Sequence, residues 1–458
     1  IHHMKQERFI RYTLILLMAM LGLNRAFAQD GTYSVQEAVA YAIKHNINIT
    51  NAHIDQSSAA ARIKEIKAIG LPQVNASAGY ANSPAIPRFF IPAKTFDPTA
   101  ADGEVIAAKF GVAHSSNASV SLNQILFDGS YFVGLKASQT YQELAIKNIE
   151  ATKIQIAEAV TKAYYNVMVN EARIELLKAN LSRIDSMYVE TVQMNKEGFV
   201  EKLDVDRLEV QRNNLSVELE NILKLQQLAN MLLKFQMNLP IEEPITLTDQ
   251  LSKMDTTMWV QPDEEALTSF SNRVEYAKLE VQEKLQQLDI RNISAGYLPS
   301  LSLSANYGYA FGSDVFNHLF TNPWFKQATI NLNLNIPIWD SFSKKNKLIQ
   351  SRNELQKIKQ NEKLLQQSIN LEVKQGQIQV GNLIRQLKER KRNLDLATEI
   401  TRVTRIKYTE GVGSNIEVIN AETSFKETQT NYFAALYDLL IAKVDLSKAK
   451  GTLYTDTP

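Results

Sequence analysis

Leu298-Pro299-Ser300-Leu301-Ser302-Leu303-Ser304-Ala305-Asn306-Tyr307 rewrites an earlier stretch of the chain, Leu71-Pro72-Gln73-Val74-Asn75-Ala76-Ser77-Ala78-Gly79-Tyr80. In both, a Leu-Pro pair stops a helical pattern, because proline has no N–H to donate and pushes the preceding residue out of helical backbone. Apolar and small polar residues then alternate, the period of a strand with one apolar and one polar face. Two further landmarks recur in the same order. Phe127-Asp128-Gly129 returns as Trp339-Asp340-Ser341, and Gly198-Phe199-Val200-Glu201-Lys202-Leu203-Asp204-Val205 returns as Gly411-Val412-Gly413-Ser414-Asn415-Ile416-Glu417-Val418. One unit is duplicated: residues 29–240 form the first repeat, 241–262 a linker, and 263–458 the second repeat.

Each repeat reads as a helix, two strands, a very long helix, a turn and a return helix. Ser34-Val35-Gln36-Glu37 is a capping box, and helical spacing follows it to about Ile69. A shorter helix over about 263–296 opens the second repeat. The first strand pair places Val74, Ala76, Ala78 and Tyr80, then Ala118, Val120 and Leu122 up to Phe127, on one face. Between them, residues 83–111 hold Pro84, Pro87, Pro92 and Pro98 and read as a long loop. In the second pair Leu301, Leu303, Ala305, Tyr307, Tyr309 and Phe311 alternate with small polar residues. Ile330, Leu332, Leu334, Ile336 and Ile338 then alternate with asparagine.

The remainder predicts helix. Residues 129–196 and 341–409 contain no proline, and Ile174, Leu177, Leu181, Ile184 and Tyr188 step at coiled-coil spacing. At about 1.5 Å per residue each such helix is roughly 100 Å long. Gly198 and the pair Gly411 and Gly413 mark sharp turns, after which return helices run over about 202–238 and 415–450. The two shorter helices of a repeat, placed end to end, match the one long helix. Each repeat therefore predicts two parallel helical tracks, strands at one end and glycine turns at the other.

The bulk numbers narrow the class. Lys and Arg total 50 against 49 Asp and Glu, a net charge of +1. Nucleic acid is excluded as a main partner, since phosphate binding needs clustered cations. There is no cysteine, which removes disulfides, thiol chemistry and acylation of an N-terminal cysteine. Residues 1–28 read as a signal peptide with a start-site artefact at Ile1, His2 and His3. Lys5, Arg8 and Arg11 precede an apolar run, and Ala26-Phe27-Ala28 supplies the cleavage site. Downstream of residue 28 no apolar stretch is long enough to span a membrane as a helix.

The strands then need a setting. The polar helices flanking them do not supply a cover for their apolar face. In a bilayer that face is correct, with apolar residues outward, polar residues inward and about 9–11 residues per crossing. Aromatics stand where a membrane girdle belongs: Phe127 and Trp339 at the ends of the second strands, and Trp324 and Phe325 near the far loop, with Phe89, Phe90, Phe316 and Phe320 close by. Four strands cannot close a barrel, and an open edge in lipid costs several kcal/mol per unsatisfied group. Copies must pool their strands. Two copies make about eight strands around a lumen filled by side chains, whereas three make about twelve and leave it open. The Ser/Asn inner face suits water and favours three. The expected fold is mostly α with a transmembrane β-barrel: long coiled-coil helices and four strands per protomer, the barrel and a helical tunnel both completed by trimerisation.

The duplicated layout, Leu71-Pro72 and Leu298-Pro299 at the helix-to-strand joints, the two glycine turns and the C-terminal Ala449-Lys450-Gly451-Thr452-Leu453 together resemble the TolC family of outer-membrane efflux proteins. The resemblance covers about residues 34–453. It implies a homotrimer in the outer membrane spanning into the periplasm, with no cofactor and no catalytic or metal site. A periplasmic adaptor and an inner-membrane pump would dock on it, and outer-membrane lipid would surround the barrel. It further implies a pore aperture at Glu417 and Asn420, with Asp204 as the first-repeat counterpart. Glu417 keeps the family's carboxylate and Asn420 does not. Adaptor contact falls on Gly198, Phe199, Val200, Gly411, Val412 and Gly413. Many relatives carry a lipidated N-terminal cysteine; its absence here leaves anchoring to the barrel.

An enzyme is disfavoured. His45 and His53 are too far apart on one helix to share a metal, at about 12 Å by helical rise. His114 and His318 fall near loops, while Glu242-Glu243 and Glu264-Glu265 read as linker and helix-start charges. No phosphate loop, G-x-S-x-G or H-E-x-x-H occurs. The rival reading is a periplasmic coiled-coil adaptor or structural protein without a pore, which explains the helices but not four amphipathic strands in matched pairs. The exported substrate and the class of pump served are not written in the chain.

Overall fold

A computed structural model describes residues 31–249, 251 and 270–454. The signal peptide, residues 250 and 252–269 of the linker region and the start of the second repeat, and the last four residues lie outside the described residues. The chain divides into two compact units. One holds the described residues of 1–53, 147–277 and 363–458, the other residues 54–146 and 278–362. Each unit draws on both sequence repeats.

The elements run β1 (Thr32–Tyr33), α1 (Val35–His45), α2 (Ile47–Ile69), β2 (Gln73–Asn82), β3 (Arg88–Pro92), β4 (Val105–Lys109), β5 (His114–Phe127), α3 (Gly129–Lys196) and α4 (Lys202–Met237). After β6 (Thr246–Leu247) come α5 (Val274–Ala295), β7 (Ser300–Ser313), the single turn α6 (His318–Thr321), β8 (Phe325–Asn335), α7 (Ser343–Thr409) and α8 (Asn415–Ala449). The two long helices have 68 and 67 residues, each uninterrupted.

The other unit, the sheet unit, holds a four-stranded antiparallel sheet in the order β2-β5-β7-β8 together with the hairpin β3–β4 and parts of α2, α3, α5 and α7. Its register turns the alternation of the sequence into rows. Val74 pairs with Leu122, Leu122 with Ala305 and Ala305 with Ile330; the next row of that face is Ala76, Val120, Tyr307 and Ala328. The intervening rows are polar: Asn75, Ser121, Asn306 and Thr329, then Gln73, Asn123, Ser304 and Asn331. Cross-strand neighbours of like polarity are what hold such a register, since a one-residue slip would swap the faces. The apolar face is bare: Ile330 is 79% exposed, and Val74, Val120, Leu332 and Leu334 are exposed with it.

The helical unit builds its cores within one chain. Its larger core joins Val160, Tyr164, Val167 and Met168 of α3 to Leu233 and Met237 of α4, Val380 and Leu387 of α7, and Leu436 and Leu440 of α8. A second core gathers Ile174, Leu177, Ile184 and Met187 of α3 with Leu208 and Leu215 of α4, Tyr408 and Val418, with Leu181 and Tyr188 against it. Asp249 accepts from the Val35 N–H at 2.8 Å and from the Tyr164 hydroxyl at 3.0 Å, fixing the start of α1 to α3.

Three expectations change. The helix over 34–69 is two helices, broken at buried Asn46, whose Nδ2 donates to Gln236 O at 3.0 Å. In return Asn238 Nδ2 donates to His45 O at 3.0 Å, so the end of α4 meets the break. In the second repeat Arg273 Nη1 donates to Ala449 O at 2.8 Å, the matching joint. The long loop over 83–111 contains the hairpin β3–β4; Pro92 ends β3 at its tip side, where it interrupts no ladder. The last strand stops at Asn335, so Ile336, Ile338 and Trp339 lie beyond it. Among the described residues its neighbour is β7, which starts at Ser300, the partner of Asn335, so the ladder ends there.

Candidate functional site: the paired helix turns

The turns between α3 and α4 and between α7 and α8 share one design. Each long helix ends in a glycine with left-handed backbone, Gly198 at φ 79° and Gly411 at φ 75°, which a side chain would strain. The Phe199 N–H reaches back to Met194 O at 2.9 Å, and the Val412 N–H to Lys407 O at 3.0 Å, so orphan helix carbonyls are satisfied. Gly413 donates to the same Lys407 O at 3.0 Å, and Asn195 Nδ2 donates to Val200 O at 2.8 Å. Phe199 and Val412 project outward, 80% and 79% exposed. Both apolar side chains are thus held in solvent on closed turns.

The predicted aperture residues sit just beyond these turns but do not converge within one chain. Glu417 is exposed in the first turn of α8, and its N–H donates to the Ser414 hydroxyl that caps the helix. Ser-x-x-Glu is also what a helix start favours, and a carboxylate there is favoured by the helix dipole. Asn420, one turn on, is exposed on the same face. Asp204 is half-buried and faces Arg207 at 3.4 Å; its backbone carbonyl, not its carboxylate, meets α8, accepting from Asn415 Nδ2 at 2.8 Å.

Sequence reasoning missed the polar contacts that join the two repeats behind the turns. Thr191 and Tyr408 share a buried hydroxyl–hydroxyl bond of 3.0 Å. Farther along, Asn180 Nδ2 donates to Gln429 Oε1 at 2.6 Å, and Arg183 faces Glu422 at 3.6 Å and lies over the Phe425 ring at 5.2 Å. The Glu422 side chain is only 3% exposed, and its Oε1 has no hydrogen-bond partner. Burial pushes its carboxyl above the ordinary carboxylate range, with Arg183 and Arg405 pulling the other way. The signal was present as Asn180, Met187 and Thr191 at seam spacing beside Ile184, but a polar residue in a seam reads as a solvated one until its partner is known.

Of the predicted girdle, Phe127 ends β5 and Phe325 begins β8, both exposed. Trp324 is half-buried, its Nε1 donating to Leu319 O at 3.1 Å. Trp339 is exposed beyond β8 and packs edge-on to Phe342, with centroids 4.7 Å apart. Among the described residues no helix is long and apolar enough to cross a membrane, and no cluster of His, Asp and Glu suits a metal ion.

A sheet with one bare apolar face and two free edges, joined in sequence to two very long helix pairs, defines a class of membrane channel built from strands and helical hairpins. The chain belongs to the outer membrane efflux protein family, whose profile matches residues 39–234 and 269–452. It is similar to outer membrane protein TolC of Vibrio cholerae, 20% identical over 347 residues, 74% of this chain and 77% of that one. In structure it is similar to CusC, with a TM-score of 0.73 at 16% identity, covering 91% of this chain and 92% of the other. It is also similar to the open state of the MtrE outer membrane channel of Neisseria gonorrhoeae, with a TM-score of 0.70 at 18% identity, covering 92% and 89%. The protein is an outer-membrane efflux channel that reaches into the periplasm, from a family of channels rather than enzymes.

Proposed function

We propose that three copies form the channel and that solutes cross it with no chemical step. The observation that carries this is the state of the sheet edges. β2 and β8 are the outer strands, and the antiparallel order leaves them running in opposite directions. β2 of one copy can therefore pair antiparallel with β8 of the next, and so around the ring. Three copies give about twelve strands, apolar rows to lipid and Ser/Asn rows to a wet lumen. The helices carry matching features. On α4, Leu203, Val210 and Val217, then Leu228 and Phe235, are exposed at heptad spacing; on α7, Leu364, Leu371 and Ile378, then Leu396 and Val403, are exposed in the same way. α4 of one copy against α7 of the next would cover both stripes and close a helical tunnel.

At the turns, Glu417 forms the aperture as a ring of three carboxylates, with Asn420 a neutral ring one turn on. Asp204, held by Arg207, sets the first repeat against Asn415. A periplasmic adaptor docks over Gly198, Phe199, Val200, Gly411, Val412 and Gly413, an inner-membrane pump supplies the energy, and docking widens the aperture. Phe127, Trp324 and Trp339 meet the edges of the lipid, where amphipathic aromatic rings settle, whereas Phe325, opposite Ala310, shares the side of the polar rows of Thr329 and Asn331 and stands at the mouth of the lumen. The test is conductance in planar bilayers. Glu417→Ala should lower the closed channel's preference for cations; unchanged selectivity would remove Glu417 from the aperture.

A further inference from the structure

We propose that the hairpin β3–β4 is a clasp between copies, docking on residues 314–325 of the neighbouring chain just outside the barrel. The inference rests on the trimeric reading above. The hairpin has two apolar faces; within its own chain Ile91 and Ala108 are half-buried and the rest of both faces is exposed. Its register puts Phe89 and Ile91 opposite Ala108 and Ile106 on one face, and Phe90 and Pro92 opposite Ala107 and Val105 on the other. Phe90 is 72% exposed, and Phe89, Val105 and Phe110 are exposed too. A lone two-stranded hairpin is marginal in water, and bare aromatic faces on it call for a partner.

Its position says which partner. The neck closes through the Ser83 N–H to Ala113 O at 2.7 Å, directly after Asn82 and His114, the last pair of β2 and β5. The hairpin thus rises from the end of β2, a free edge. The other free edge, β8, begins at that same end of the sheet, at Phe325, preceded by the turn that carries Phe320; both rings are exposed. When β2 of one copy meets β8 of the next, the hairpin of the first and Phe320 and Phe325 of the second flank one seam. The receiving segment is firmly held. Asp314 accepts from the Ala113 N–H at 2.9 Å, His318 meets the Ser313 hydroxyl at 3.0 Å, and Trp324 is tied to Leu319. Lipid is the poorer occupant, because the hairpin tip carries Lys94, Asp97, Asp102 and Glu104, which would have to enter the bilayer first.

The chain has no cysteine, so introduced thiols report without background. Phe90→Cys combined with Phe320→Cys, and separately with Phe325→Cys, is treated in outer membranes with a short bifunctional thiol reagent. All three sites are exposed, so the variants should fold. The expected result is covalent dimers and trimers from at least one pair and none from the single variants. The mass of the unmodified complex in mild detergent is measured alongside. Three copies without links between chains would overturn the clasp and leave the trimer standing. Links from Phe90→Cys alone would place the hairpins against one another and also overturn it. So would quenching of a Phe90→Cys fluorophore by brominated lipid. A mass of one copy would remove the trimeric reading itself, and the clasp with it.

Discussion

The helical unit and the sheet unit treat apolar side chains in opposite ways. In the helical unit Leu208 is 0% exposed, and Leu233, Leu387 and Leu440 are as well buried, all by helices of the same chain. In the sheet unit the best apolar rows, those of Val74, Leu122, Ala305 and Ile330 and of Ala76, Val120, Tyr307 and Ala328, stay largely exposed, with only Leu122 and Ala305 half-buried. One unit completes its cores within a single copy; the other leaves an apolar face and its two outer strand edges without partners among the described residues.

The sharpest break is in the helical core. Leu208→Ala should cost about 2–5 kcal/mol, because the cavity opens among side chains that cannot all follow. Denaturant unfolding of the detergent-extracted protein checks it. Ile330→Lys probes the other side. If Ile330 faces lipid, lysine near mid-bilayer costs roughly 2–4 kcal/mol and recovery in the outer membrane falls. If it faced water, the change would stay within about 0.5 kcal/mol. Asn415→Ala lies between the extremes. It removes one hydrogen bond to the Asp204 carbonyl, which keeps its partner within α4, a loss of about 0.5–1.5 kcal/mol read by the same unfolding curves.

Helices and strands were legible because their apolar periods differ, and Leu71-Pro72 and Leu298-Pro299 marked the switch. The break at Asn46 was not, since asparagine inside a helical pattern is no stop signal and its reason is the carbonyl of Gln236, far away in sequence. Prolines hid β3 and β4, although Pro84, Pro87 and Pro98 lie outside both strands and Pro92 only ends β3. Trp339 looked like a strand end because alternation runs on to Ile338, whereas the length of β7 decides where β8 can pair. The turns were found from Gly198 and Gly411, but the contacts of Asn180, Thr191 and Glu422 were not, because a polar layer between helices is defined only by the helix opposite.

Glu422 sharpens the comparison through pH. Its folded-state carboxyl is raised above its unfolded value by burial, so its contribution is most favourable below the unfolded carboxylate range and is lost as pH rises through the folded value. Glu422→Gln should therefore gain stability relative to the parent at neutral pH and lose that advantage in acid, as thermal unfolding at two pH values would show. The smallest stability effect belongs to the tip. Phe199→Ser should change unfolding by less than about 0.5 kcal/mol, because the ring is in solvent. It should nonetheless reduce crosslinking to an adaptor and lower efflux in cells; unchanged efflux would take Phe199 out of docking.

The most direct measurement is the number of chains in the channel extracted from the outer membrane in mild detergent, by light scattering corrected for bound detergent. Three chains are expected, because four strands with two free antiparallel edges and a bare apolar face close as twelve. A single chain would contradict it, leaving the sheet's edges and apolar face to be satisfied in some other way.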